Sequence, residues 1–133
     1  MAATPVLDSD VLIDHLRDAG AGRELVDRLA GASGFYVSVV SAFELSLGGG
    51  YARNPAAADA LLAAPCLPLT REAALRAGAL LRELRAAGEG LDIRDAMQAG
   101  ICLEAGAPLV TRNIRHFARV PGLLVSEPER WPA

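Results

Sequence analysis

Asp8, Glu44, Asp95 and Asn113 are far apart in the chain, yet each stands at the same kind of place. Asp8 closes the apolar run Pro5-Val6-Leu7, and Glu44 follows the run Phe35 to Val40 by about one helical turn. Asp95 falls in the first turn of a helix opened by Asp92, and Asn113 just follows Leu109-Val110. Brought together, three carboxylates and an amide would hold a hard cation. Two carboxylates ~4 Å apart repel by about 4 kcal/mol at an effective dielectric of 20. Three converging acids therefore take up a proton or weaken the fold unless a divalent ion joins them. Oxygen donors without clustered His or Cys suit Mg²⁺ or Mn²⁺, not zinc. Mg²⁺ keeps several waters and needs few protein ligands, which fits phosphate substrates.

Taken singly, each residue also has a local explanation. Glu44 is spaced from Ser41 as in a capping box, and Asp95 stands at the same offset from Asp92. Asp8 can help cap a first helix, and Asn113 can serve a turn. Such local roles do not require the four to share an edge. The order of elements does.

Pro5 to Leu7 reads as a short strand. A helix capped by Ser9 or Asp10 follows, with Leu12, Ile13 and Leu16 on its apolar face and Gly20 as its stop. A second helix over Arg23 to Ala30 buries Leu25, Val26 and Leu29. Phe35 to Val40, β-branched and aromatic, reads as a strand buried on both faces. The helix opened by Ser41 stops at Gly48-Gly49-Gly50, read as a turn between helices. Asn54-Pro55 opens an Ala-rich helix, and Cys66 to Leu69 reads as an edge strand because Pro68 is poorly tolerated elsewhere. Thr70 caps a long helix with Leu75, Leu80, Leu81 and Leu84 at helical spacing. Asp92 caps a helix from Ile93 to about Ala105, stopped by Gly106 and Pro108. Leu109-Val110, a helical turn from Ile114 to Phe117 and a strand from Leu123 to Val125 follow. Glu127 to Ala133 reads as a surface strap pinned by Trp131. Apolar strands alternating with helices predict an α/β fold: a three-layer α/β/α sandwich around a mostly parallel sheet of four to five short strands. Ligands bind such sheets at the carboxyl ends of the strands, where all four polar residues fall.

The 133 residues are 52% hydrophobic with a formal net charge of −3, which suits one domain over residues 1–133. No apolar run approaches the ~18 residues of a membrane helix, and no basic segment precedes an apolar stretch near Met1. A cytoplasmic protein with two reduced thiols, Cys66 and Cys102, both in the core, is expected. All thirteen basic residues are arginine. The lack of lysine excludes a phosphate-binding loop of the P-loop kind, a Schiff base and lysine-dependent phosphotransfer. The acidic balance argues against broad wrapping of nucleic acid and leaves room for one local groove. His15 and His116 read as structural or surface groups.

Val6-Leu7-Asp8-Ser9-Asp10-Val11-Leu12-Ile13 resembles the opening motif of PIN-domain ribonucleases. Val39-Val40-Ser41-Ala42-Phe43-Glu44-Leu45 resembles their second motif, Asp95-Ala96-Met97-Gln98-Ala99-Gly100 the third and Leu109-Val110-Thr111-Arg112-Asn113 the fourth. Arg115-His116-Phe117 and Val120-Pro121-Gly122-Leu123 are similar to the tail of the VapC-like toxin branch. The resemblance covers nearly the whole chain, in order. Asp10 stands where this branch often has Asn, and Gln98-Ala99 where it often has Ile-Ala. Asn113 stands where some relatives have Asp.

The resemblance implies a Mg²⁺- or Mn²⁺-dependent endoribonuclease, a homodimer, a small antitoxin partner and a structured RNA as substrate. On that reading Asp8 and Asp95 are the main metal ligands and Glu44 the third acid. Asn113 positions a water or phosphate oxygen, and Arg112 and Arg115 hold the RNA backbone. Asp8-Ser9-Asp10 is also similar to the nucleophile motif of haloacid-dehalogenase-like phosphatases, which need a lysine this chain lacks. A non-catalytic PIN-like module that binds RNA or protein is the other alternative.

Overall fold

A computed structural model describes residues 3–132. Five two-residue strands form the centre: β1 (Val6–Leu7), β2 (Val37–Ser38), β3 (Cys66–Leu67), β4 (Leu109–Val110) and β5 (Val125–Ser126). All pair in parallel. Val6 lies opposite Leu109, Leu109 opposite Val125, and Val37 opposite Cys66. A single bridge between Val6 and Tyr36 joins the two ladders, giving the order β3-β2-β1-β4-β5. The helices are α1 (Ser9–Leu16), α2 (Gly20–Ala30), α3 (Val39–Leu47), α4 (Gly49–Arg53), α5 (Pro55–Leu62), α6 (Arg71–Ala86), α7 (Ile93–Ala105) and α8 (Ile114–Phe117). A 3₁₀ turn, Pro128–Arg130, follows β5.

Strand side chains alternate between faces, and here both faces are buried. Val6 and Leu109 pack with Ala77, Leu80 and Leu84 of α6, Ala96, Ala99 and Cys102 of α7, and Phe117 of α8. Leu7, Val37 and Val110 pack on the other side with Leu12 of α1, Leu25 and Leu29 of α2, Leu45 of α3 and Leu61 of α5. This is the three-layer sandwich expected from the alternation of strands and helices, and burial on both faces explains why β1 and β4 are wholly apolar.

Several boundaries differ from the sequence reading. The strand expected over Phe35 to Val40 shrinks to Val37–Ser38, because Ser38 opens the helix: its hydroxyl accepts from the Ser41 N–H at 3.2 Å. α3 thus starts at Val39, and Glu44 sits in its second turn, away from any capping position. α1 is capped by Asp8, not by Ser9 or Asp10, and α2 begins at Gly20. Gly49 and Gly50 lie within the short helix α4, so the glycine run is not simply a turn. Leu75 is 66% exposed, and α6 buries Ala73, Ala77, Leu80 and Leu84 instead. Cys66 is exposed and only Cys102 is in the core. The last strand is shifted to Val125–Ser126. Trp131 packs on the core under α2, and its carbonyl accepts from Arg28 Nη2 at 3.0 Å; Ala133, the end of the expected strap, lies outside the described residues. Among the described residues no helix is long and apolar enough to cross a membrane.

α6 and α7 approach through small residues. A Cβ on Gly100 would collide with the Ala73 carbonyl oxygen and meet the Ala77 Cβ at 3.2 Å. Gly78, on the exposed side of α6, has nothing within 4 Å of its Cβ position. Gly100→Ala is expected to lower stability by about 2 kcal/mol through overpacking, whereas Gly78→Ala raises it by about 0.5–1 kcal/mol through helix propensity. Urea unfolding of the two variants checks this; equal effects would contradict the close approach.

Candidate active site

Parallel strands end on one edge, and the acids gather there. The Asp8 N–H donates to the Val110 carbonyl at 2.9 Å, continuing the β1–β4 ladder. Its side chain then caps α1 by accepting from the Ser9 N–H at 2.9 Å. Asp8 is 8% exposed. Oδ2 accepts from the Thr111 hydroxyl at 2.7 Å, and Oδ1 accepts from Gln98 Nε2 at 3.2 Å. Asp10 lies beside it. Its Oδ2 accepts from the Arg112 N–H at 3.0 Å, while its Oδ1 is buried without a hydrogen-bond partner among the described residues.

Glu44 is joined to this cluster by Ser9, whose hydroxyl donates to Oε1 at 2.8 Å. Its other oxygen faces Arg94 Nη1 at 3.3 Å. Asp95, half-buried at the start of α7, faces His116 Nδ1 at 3.4 Å. Asn113 stands at the same edge as the N-cap of α8. Its N–H donates to Thr111 Oγ1 at 3.0 Å, but its side chain makes no capping bond and is exposed. Asp8 and Glu44 are thus joined through Ser9, Asp95 stands near enough to repel both without touching either, and Asn113 joins them only through its backbone.

Burial sets the electrostatics. It pushes the Asp8 carboxyl up to about 7, and Asp10 and then Asp95 add repulsion that Thr111 and the Ser9 N–H only partly offset. Burial likewise raises Asp10, against the Arg112 N–H. Asp95 is raised by burial first and by Asp92 second, with His116 acting the other way and Glu44 adding a further push upward. Neighbouring carboxylates held out of water in this way favour a cation or a proton.

Among the described residues, no three His, Cys, Asp or Glu side chains are close enough to form a metal cage by themselves. A hard dication that keeps most of its waters needs only one or two carboxylates. The donor set is all oxygen, and one buried oxygen of Asp10 is unpartnered, so the residues fit a hard divalent cation. Cys102, further along α7, stays a thiol: burial pushes it up to about 12.

The arginines near this edge differ in what they meet. The Arg112 guanidinium forms an ion pair with Asp14, on α1, so it is already engaged. Arg115 is exposed and forms no ion pair among the described residues. Arg94, unforeseen in the sequence, is the cation that meets Glu44. His116, read from sequence as structural or surface, is the partner of Asp95. Gln98 was visible only as a polar departure on an apolar helix face; the structure buries it against Asp8.

A mostly parallel α/β/α sandwich with a carboxylate cluster at its carboxyl edge has known counterparts. The sequence pattern of the PIN domain matches residues 6–123, and the chain belongs to the PIN-domain family. Within that family it is VapC-like. It is 32% identical over 120 residues to ribonuclease VapC19 of Mycobacterium tuberculosis, spanning 89% of this chain and 95% of that protein. Its fold matches DNA-bound VapBC of Salmonella typhimurium with a TM-score of 0.81 at 25% identity, over 96% of this chain and 99% of that one. VapBC2 of Rickettsia felis, bound to a DNA fragment from its promoter, matches in fold with a TM-score of 0.78 at 21% identity, over 93% and 98%.

The raised carboxyls have a consequence for stability. Between the ordinary Asp value of 3.8 and about 7, the folded protein holds a proton on Asp8 that the unfolded chain has lost. Without metal, stability from this group must therefore fall as pH rises through that window and level off above it. At 1.36 kcal/mol per pKa unit, the loss is on the order of 4 kcal/mol. Thermal unfolding in EDTA from pH 4 to 8 should show the parent losing stability relative to Asp8→Asn. Parallel curves would refute the shift.

Proposed function

We propose that this chain is a metal-dependent endoribonuclease, the toxin of a toxin–antitoxin pair, working on structured RNA in the cytoplasm. The observation that carries the reading is the Asp8 carboxylate, nearly sealed from water, ringed by donors and faced by two further acids. Burying like charges together weakens a fold, so such a cluster is explained by the cation it holds. The name of ribonuclease VapC19 supports the substrate class. The VapBC complexes that share the fold support a small antitoxin as partner. A homodimer is part of the same proposal.

In this mechanism Asp8 and Asp95 hold Mg²⁺ or Mn²⁺, directly or through water. The ion, when bound, lowers the pKa of a water and neutralises charge at the phosphodiester. Ser9 fixes Glu44 so that Oε1 faces the cluster and not solvent. Glu44 would thereby orient the attacking water and take its proton as the phosphorus–oxygen bond to the leaving oxygen breaks. The Asn113 amide, exposed at the edge, orients a phosphate oxygen. Arg115 offers the RNA backbone a free guanidinium, a role Arg112 can share only by leaving Asp14.

RNA cleavage in MgCl₂ should be abolished by Asp8→Asn and by Asp95→Asn while far-UV circular dichroism is unchanged. Parental rates in either variant would refute the assignment. Undiminished Mn²⁺ affinity in Asp95→Asn, measured by calorimetry, would favour a non-catalytic binding module. A second expectation concerns Arg115→Glu, which should weaken RNA binding and lower the slope of log affinity against log salt by about 1. An unchanged slope would remove Arg115 from the interface.

A further inference from the structure

Gln98 lies on α7, three residues after Asp95, and is 1% exposed. A buried amide must find acceptors for two N–H groups and a donor for its carbonyl. Here all three are met. Nε2 donates to Asp8 Oδ1 and to Ser41 Oγ, each at 3.2 Å, and Oε1 accepts from the Ser38 hydroxyl. The orientation is chemically determined. A reversed amide would set its oxygen against the Asp8 carboxylate and leave the Ser38 proton without an acceptor.

The partners of Asp8 can now be counted. A carboxylate offers two lone pairs on each oxygen. Oδ1 accepts from the Ser9 N–H and from Gln98, so it is filled. Oδ2 accepts from Thr111 and keeps one lone pair free. Ser41, held by Gln98, lies 3.0 Å from Ser9 Oγ, and Ser9 donates to Glu44. One amide on α7 thus touches the acid at the end of β1 and, through two serines, the acid on α3.

We propose that Gln98 is a positioning residue: it fills Oδ1, holds the Asp8 carboxylate against rotation, and leaves the free lone pair of Oδ2 as the one place where Asp8 can meet a hard dication. This rests on the metal-ion reading given above. Gln98 itself touches neither ion nor substrate. Its effect passes through Asp8, and Thr111 acts on the other oxygen of the same carboxylate.

The test is calorimetry with MnCl₂ on the parent, Gln98→Met, Thr111→Val and the double variant. Met keeps the volume and removes the donors. Gln98→Met should weaken Mn²⁺ binding at least about tenfold, the usual effect of losing a partner of a metal ligand. The double variant should lose less than the product of the single losses, because a carboxylate already free to turn has little positioning left to lose. Should Gln98→Met fail to fold with Ser38 stranded, Ser38→Ala combined with Gln98→Met removes the stranded hydroxyl and carries the same comparison. Mn²⁺ affinity within about twofold of the parent in the folded variant, or losses that simply multiply, would overturn the proposal. A parent that binds no Mn²⁺ would instead overturn the metal reading beneath it.

Discussion

A carboxylate buried at the end of a central strand is the constraint around which this molecule is arranged. Taking Asp8 out of water is unfavourable, as its raised carboxyl shows. It is tolerated because donors arrive from three directions: the Ser9 N–H at the start of α1, Thr111 just after β4, and Gln98 on α7. Removing any of these elements would leave a buried acid underpartnered. The same side chain caps α1, so one residue serves both a helix start and the candidate site.

The sheet makes that convergence possible. Because every pairing is parallel, the chain leaves each strand at the same edge. α1 and α3 begin directly there, after β1 and β2, and the first turn of α7 is close enough for Asp95 to repel Asp8. Helix N-termini carry partial positive charge, which eases the clustering of acids. The apolar layers on either side keep the strands in register. The small residues Ala73, Ala77 and Gly100 let α7 lie close to α6, and α7 is the helix that carries both Asp95 and Gln98. Packing and chemistry are thus coupled through one helix.

Much of this was legible in the chain. The caps Thr70 and Asp92, the stop at Gly106 and the apolar runs located α6, α7, β1 and β4 well, because these signals act within a few residues. Asp8 and Asp95 stood out for the same reason. Glu44 was harder. Ser41 and Glu44 carry the spacing of a capping box, and only the earlier start of α3 at Val39, capped by Ser38, shows that Glu44 is not a cap partner. Leu75 carried the periodicity of a core residue but faces solvent, since the α6–α7 contact is built from alanine and glycine.

Local chemistry therefore determined the element order, the layered fold class and the candidate acids, since capping, propensity and apolar spacing are properties of neighbouring residues. The tertiary structure decided who meets whom. Gln98 reaches Asp8 across 90 positions, Thr111 reaches it across 103, and Arg112 turns to Asp14 across 98. No periodicity encodes such pairs. They exist because parallel strands bring distant segments to one edge, where a buried charge must take whichever donors the packing leaves within reach.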